Sequence, residues 1–124
     1  MSRSKGLRYE QLAEQYLAQR GLTPITRNYS CRGGEIDLIM RDEETLCFVE
    51  VKYRADNHSF GGAYYSIPPS KQQKIILCAL HYISSRTAGQ NDNYRFDVVL
   101  VSPLAEPDQF QFEWLANAFD STGF

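Results

Sequence analysis

No apolar run in the 124 residues approaches the ~20 needed to cross a bilayer, and the opening stretch, Met1 to Gln11, is polar where a signal peptide carries its apolar segment. A soluble, cytoplasmic protein is expected. Cysteine is scarce: Cys31, Cys47 and Cys78 are odd in number and show no C-x-x-C spacing, so neither a disulfide framework nor a zinc knuckle is expected. Cys47 and Cys78 each lie inside an apolar run and read as small buried apolar residues. Histidine is scarcer still, and His58 and His81 are too scattered to form a zinc cluster; His58 reads as an ordinary loop residue. An excess of positive charge is also missing. The 13 Lys and Arg against 15 Asp and Glu leave a net charge of −2, which argues against a protein that holds nucleic acid by bulk charge alone. There is no internal repeat, low-complexity tract or linker.

What is present is the composition of a globular chain, with 43% hydrophobic, 23% charged and 13% aromatic residues. The length suits a single domain over residues 1–124 and excludes a two-domain enzyme. The mild net charge conceals an asymmetry. Residues 1–34 carry Arg3, Lys5, Arg8, Arg20, Arg27 and Arg32 against Glu10 and Glu14, whereas residues 96–124 carry five acidic residues and no Lys or Arg.

Tyr9, Leu12, Ala13, Tyr16 and Leu17 recur at helical spacing, which predicts an amphipathic helix from Ser4, its N-cap, to Arg20, with Gly21 as the stop. On that helix Glu10 falls beside the apolar stripe and Glu14 lies farther toward solvent. An extended stretch over Thr23 to Tyr29 precedes the turn signal Ser30 to Gly34. Strands over Glu35 to Met40 and Leu46 to Tyr53 follow, joined by a turn at Asp42-Glu43-Glu44. Ala55 to Ser66 reads as a loop. A second helix is expected after Pro68-Pro69-Ser70, running to about Ser85, with Ile75, Ile76, Ala79, Tyr82 and Ile83 on one face. Leu77 and Leu80 fall off that face, so a second covered side is expected there, a candidate homodimer interface. A polar loop, Thr87 to Asn93, leads to a strand over Tyr94 to Ser102 and a last extended piece near Phe110 to Leu115. The order α-β-β-β-α-β-β implies an α/β fold, a mixed sheet flanked by helices.

The two central strands carry charge in their most apolar surroundings. Side chains alternate along a strand, so Glu35 and Asp37 share one face, and Phe48, Glu50 and Lys52 share another. Charges among Ile36, Leu38, Ile39, Val49 and Val51 are costly unless paired or bound to a metal. In the first of two readings, Lys52 neutralises Asp37 or Glu50 as a structural ion pair, and the protein is an interaction domain. A lone acidic-x-Lys triplet supports nothing more, since roughly 0.5 such triplets arise by chance in this composition. Asp37 on the preceding strand and Glu10 at the edge of the first helix's core face favour the second reading, a metal site.

Glu35-Ile36-Asp37-Leu38-Ile39 followed by Phe48-Val49-Glu50-Val51-Lys52-Tyr53-Arg54 resembles the signature of the YraN-like family of small uncharacterised bacterial proteins. That family is similar to archaeal Holliday-junction resolvases within the PD-(D/E)xK nuclease superfamily. The likeness extends over Gly6, Glu10, Ala13, Leu17, Gly21, Arg27-Asn28, Gly33-Gly34, Phe60-Gly61, Lys71-Gln72, Phe96 to Val99 and Ala118-Phe119. Ile36 stands where the superfamily label has proline. The resemblance implies a restriction-endonuclease-like core in which Asp37, Glu50 and the Val51 backbone carbonyl hold Mg²⁺ or Mn²⁺. An all-oxygen site suits those cations. It implies further that Lys52 orients or helps to deprotonate the attacking water and that Glu10 is an accessory carboxylate, so that a metal-bound water hydrolyses DNA phosphodiesters, those of branched DNA included.

Glu35 is open between that site and a role in holding the hairpin, with Arg32 as a partner. Arg54, Lys71, Gln72 and Lys74 are candidates for phosphate contacts, or simply a solvated helix start. Tyr64-Tyr65 are open between stacking on bases and covering the core. Gly33-Gly34 is a hairpin turn with no helix after it, hence no phosphate loop. DNA is the expected partner rather than RNA or a membrane. The alternative in the same fold is a catalytically silent nucleic-acid-binding or repair-accessory module.

Overall fold

The computed structural model describes residues 3–54, 67–86 and 93–120, with side chains from residue 6 onward. The loop expected over Ala55 to Ser66, with His58, Phe60-Gly61 and Tyr64-Tyr65, lies outside the described residues, as does the loop from Thr87 up to residue 92. Helix α1 (Arg3–Gln19) presents Ala13 and Leu17 to the sheet, both fully buried. It begins before Ser4, which therefore lies inside the helix and does not cap it. Its end follows the sequence: Gly21 takes φ +101°, a conformation that costs glycine nothing, and the Leu17 carbonyl accepts from the N–H groups of Arg20 and Leu22 at 2.9 and 3.1 Å.

Strands β1 (Thr23–Cys31), β2 (Gly34–Asp42) and β3 (Thr45–Tyr53) form an antiparallel meander. β1 outruns its expected end, because only Arg32 and Gly33 are needed to turn, with Gly33 at φ +87°. Helix α2 (Pro69–Ser84) carries proline in its first turn, where the missing N–H is no loss. It forms the crossover to β4 (Asn93–Pro103), which lies parallel to β3, and β5 (Phe110–Phe119) closes the sheet antiparallel to β4. The sheet order is β1-β2-β3-β4-β5.

Each face of the sheet buries one helix. Leu38, Met40, Cys47, Val49, Val99 and Val101 pack under α1, and Ile39, Phe48, Phe96 and Val98 pack under α2 with Ile75, Cys78 and Ala79. Each large apolar side chain so buried contributes about 1.5–3 kcal/mol. Leu77 and Leu80, expected to be covered, are 59% and 44% exposed on the outer side of α2. No helix among the described residues is long and apolar enough to cross a membrane.

Two buried features were not legible in the spacing. Cys78 is buried as expected, but it is bonded to Cys31, so the expectation of no disulfide is wrong; Cys47 stays a buried free thiol. The pairing joins residues 47 positions apart and arises because α2 lies directly over the β1–β2 turn. A Cβ on Gly34 would meet the Lys74 carbonyl at 3.3 Å and the Cys78 Sγ at 3.4 Å, so glycine permits the close approach. Asp97, fully buried, accepts hydrogen bonds from Arg95 Nε, Trp114 Nε1 and the Asn117 N–H at 2.9–3.1 Å and thereby ties β4 to β5.

Candidate active site

The β2–β3 ladder runs from Asp42 opposite Thr45 to Leu38 opposite Val49, and there it stops. Beyond that point β2 stays with β1 as far as Gly34, while β3 stays with β4 as far as Tyr53. The sheet therefore forks at Asp37 and Glu50, the next residues along each strand. Asn28, which faces Asp37 from β1 between the pairs Arg27–Leu38 and Tyr29–Ile36, takes φ 54°, a left-handed conformation that asparagine tolerates better than most residues. Side-chain alternation breaks here: Leu38 and Met40 lie under α1, but Ile36 joins Ile39 under α2. The Asp37 carboxylate is turned into the fork, where Oδ2 accepts the Val51 N–H at 2.8 Å. The N–H and C=O of one residue in an extended strand point to the same edge, so the Val51 carbonyl also faces the fork.

Three adjoining recesses of about 560, 230 and 240 Å³ all border Asp37. The first opens between the start of α1 and β1–β2, past Glu10, Asn28, Ser30 and Glu35. The second lies between α1 and β3, bordered by Glu10, Glu50, Val51, Lys52 and Lys71, with Tyr9 stacked on Tyr53 at 4.2 Å as a wall. The third lies between β2 and α2, past Glu35, Glu50, Lys71 and Lys74. Thus Glu10 from α1, Glu35 and Asp37 from β2, Glu50, Val51 and Lys52 from β3, and Lys71 and Lys74 from α2 surround one place.

Other candidates are placed elsewhere. Gln72 Nε2 donates to the Ile67 carbonyl at 2.7 Å and fixes the entry to α2. Arg54 borders none of the three recesses; its N–H bonds the Val101 carbonyl at 2.8 Å. Glu35 is exposed and makes no ion pair with Arg32. Glu14, expected toward solvent, is half-buried and paired with Arg27 at 3.2 Å. Asn28 and Tyr9 were not singled out as site residues; the only signal for Asn28 was its place in the Arg27-Asn28 pair.

The electrostatics follow from burial and crowding. Burial first, and then the charges of Glu50 and Glu10, push the Asp37 carboxyl up to about 8, against the opposing pull of the Val51 N–H and of Lys71. Burial likewise raises Glu10, reinforced by Glu35 and Glu50. Asn28 and Asp37 are close enough to pull the other way by hydrogen bonding, yet Oε1 of Glu10 is itself buried without a partner. The side chain of Glu50 is only 7% exposed, and its Oε1 meets Lys71 Nζ at 2.6 Å. The ion pair at the fork is therefore formed from α2; Lys52 makes none with Asp37 or Glu50.

Among the described residues no three Asp, Glu, His or Cys groups stand ready as a set of metal ligands. Asp37 is engaged by the Val51 N–H and Glu50 by Lys71. The donor chemistry nevertheless fits a hard divalent cation, being all oxygen, crowded enough to raise proton affinity, and left with one orphaned buried oxygen on Glu10.

An α/β protein whose five-stranded mixed sheet follows the restriction-endonuclease-like order, forked beneath a cluster of carboxylates and lysines, is the class that fold and site define. Residues 9–101 match the uncharacterised protein family UPF0102, and the chain belongs to that family. Its UPF0102 relative from Aeromonas hydrophila is 52% identical over 117 residues, 94% of this chain and 85% of that protein. The relatives from Saccharophagus degradans and Nitrosococcus oceani are 46% and 48% identical, covering 92% and 94% of this chain and 91% and 92% of their own lengths.

Proposed function

We propose that the protein is a Mg²⁺- or Mn²⁺-dependent nuclease that hydrolyses DNA phosphodiesters, branched DNA among its substrates. The observation that carries this reading is the fork: the strands separate where Asp37 and Glu50 stand, Glu10 enters from α1, and the Val51 carbonyl faces the same opening. Asp37, Glu50 and that carbonyl would hold the divalent cation, which when bound would supply Lewis acidity and lower the pKa of a water. Lys52, on the same recess, orients the attacking water, and Glu10 takes or relays its proton. Lys71 and Lys74 on the opposite wall hold phosphate oxygens without reading sequence.

A second reading, a silent DNA-binding module, is favoured by the Glu50–Lys71 pair, in which a lysine already neutralises the Glu50 carboxylate. Purified protein is incubated with branched, single-stranded and duplex DNAs with and without Mn²⁺ or Mg²⁺. Metal-dependent cutting that Asp37→Ala and Lys52→Ala abolish supports the nuclease. Binding with a steep salt dependence and no cutting on any substrate supports the module. Neither binding nor cutting leaves the carboxylates and lysines as a structural network.

A further inference from the structure

We propose that Lys71 is an internal counter-ion, occupying the carboxylate site until a divalent cation displaces its ammonium group, which then turns to a phosphate oxygen of the bound backbone. The proposal rests on the metal reading of the same site. Its first support is geometric: Lys71 Nζ lies 2.6 Å from Oε1 of the buried Glu50, and Lys71 borders both recesses that contain Asp37 and Glu50 together. Its charge is felt at Asp37 as well as at Glu50. A buried carboxylate without a cation is costly, so Glu50 needs one whether or not metal is present. An ammonium group and a divalent cation compete for the same oxygens.

The placement also permits release. Lys71 sits in the first turn of α2, where its N–H bonds the Pro68 carbonyl at 2.9 Å, so the backbone is fixed while a flexible four-carbon stem carries the charge. The side chain is 45% exposed against 7% for Glu50, so Nζ can swing outward without opening the core. Lys52 lacks the carboxylate pairing, and Lys74, three residues along α2, borders the third recess but not the second.

Mn²⁺ is titrated calorimetrically at pH 8 into the intact chain, Lys71→Met and Lys74→Met. Lys71→Met is expected to tighten Mn²⁺ binding by about tenfold or more, the order set by removing a unit charge at contact distance. Lys74→Met, the same loss of charge without the pair to Glu50, is expected to change it less than about twofold. In the unaltered chain, competitive amine acylation mapped by mass spectrometry should show Lys71 labelled severalfold faster, relative to Lys74, once Mn²⁺ is added. That measurement decides the matter even if Lys71→Met fails to fold. Unchanged or weaker Mn²⁺ binding by Lys71→Met, equal tightening by Lys74→Met, or a Lys71 labelling rate indifferent to Mn²⁺ overturns the counter-ion role while leaving the metal site standing. If none of the three chains takes up Mn²⁺, the metal reading itself fails and the proposal with it.

Discussion

The Asp37 carboxylate accepts the Val51 backbone N–H at 2.8 Å, spanning the gap where β2 leaves β3. A side-chain acceptor thus replaces the ladder partner that the fork removes, satisfying a backbone donor that would otherwise be orphaned. It also fixes the carboxylate beside Glu50 and Glu10, where its proton is held unusually tightly.

Asp37 is raised to about 8 in the folded protein, with burial as the leading cause, against about 4 in an unfolded chain. The folded state therefore binds the proton more strongly, so the Asp37 contribution is fully present below about pH 4 and is lost as pH rises through about 8. Asp37→Asn keeps an oxygen for the Val51 N–H and carries no charge. In urea unfolding of the metal-free protein it should gain on the unaltered chain between pH 5 and pH 8, by about 3–4 kcal/mol. A gap that stays constant or narrows with rising pH would contradict this account. Mn²⁺ should narrow that gap, since about hundredfold excess over Kd adds about 2.7 kcal/mol only to a chain that binds it.

Much of this site was legible in advance because it lies on regular strands. Alternation within an apolar run bounded by turn signals placed Glu50 and Lys52 on β3, and the apolar stripe of α1 put Glu10 at its inner edge. The fork was not legible. Nothing in the spacing of Glu35, Ile36 and Asp37 announces that Ile36 leaves the alternation, an irregularity that faces the left-handed Asn28 on β1. Nor could the sequence choose Lys71 over Lys52 as the partner of Glu50. That choice depends on where α2 lands after the crossover, a tertiary outcome to which the disulfide and the close contact at Gly34 both belong.

Asp97 is a charge of a different kind. It is fully buried, yet every recorded partner is structural: Arg95, Trp114 and the Asn117 N–H. Asp97→Ala leaves the indole N–H and the Asn117 N–H without their acceptor, while the Arg95 guanidinium keeps Asp42 at 3.1 Å, and should cost about 2–4 kcal/mol. The readouts are urea unfolding and, on whatever fraction remains folded, Mn²⁺ titration. Destabilisation with unchanged Mn²⁺ affinity is expected; a selective loss of metal binding in a stable Asp97→Ala protein would move Asp97 into the site.

Cys47 should be inert in the native protein. Burial first, then the nearby Asp97, pushes its thiol up to about 12, so almost no thiolate exists at neutral pH. A thiol reagent such as DTNB should find no reactive group in the folded, oxidised chain, one after denaturation, and three after denaturation with reductant. Fast labelling of a single native thiol would show that the region under α1 opens readily.

The Cys31–Cys78 bond closes a loop of 47 residues in sequence separation, and it does so beside the third recess, fastening α2 to the β1–β2 turn. By the chain-entropy argument a loop of that size is worth about 4 kcal/mol when its ends are joined. Reduction should therefore lower the urea midpoint, and the double variant Cys31→Ser/Cys78→Ser should match the reduced protein and ignore reductant. The consequence reaches the site, because Lys71 and Lys74 ride on the same helix whose approach to Gly34 leaves only 3.3 Å for an added Cβ. Loosening α2 should weaken its hold on the Glu50 side of the fork, detected as faster hydrogen exchange in the first turns of α2 and at the β1–β2 turn, with the β4–β5 amides unaffected. If exchange rises uniformly across the sheet instead, the bond stabilises the whole fold and does not act locally on α2.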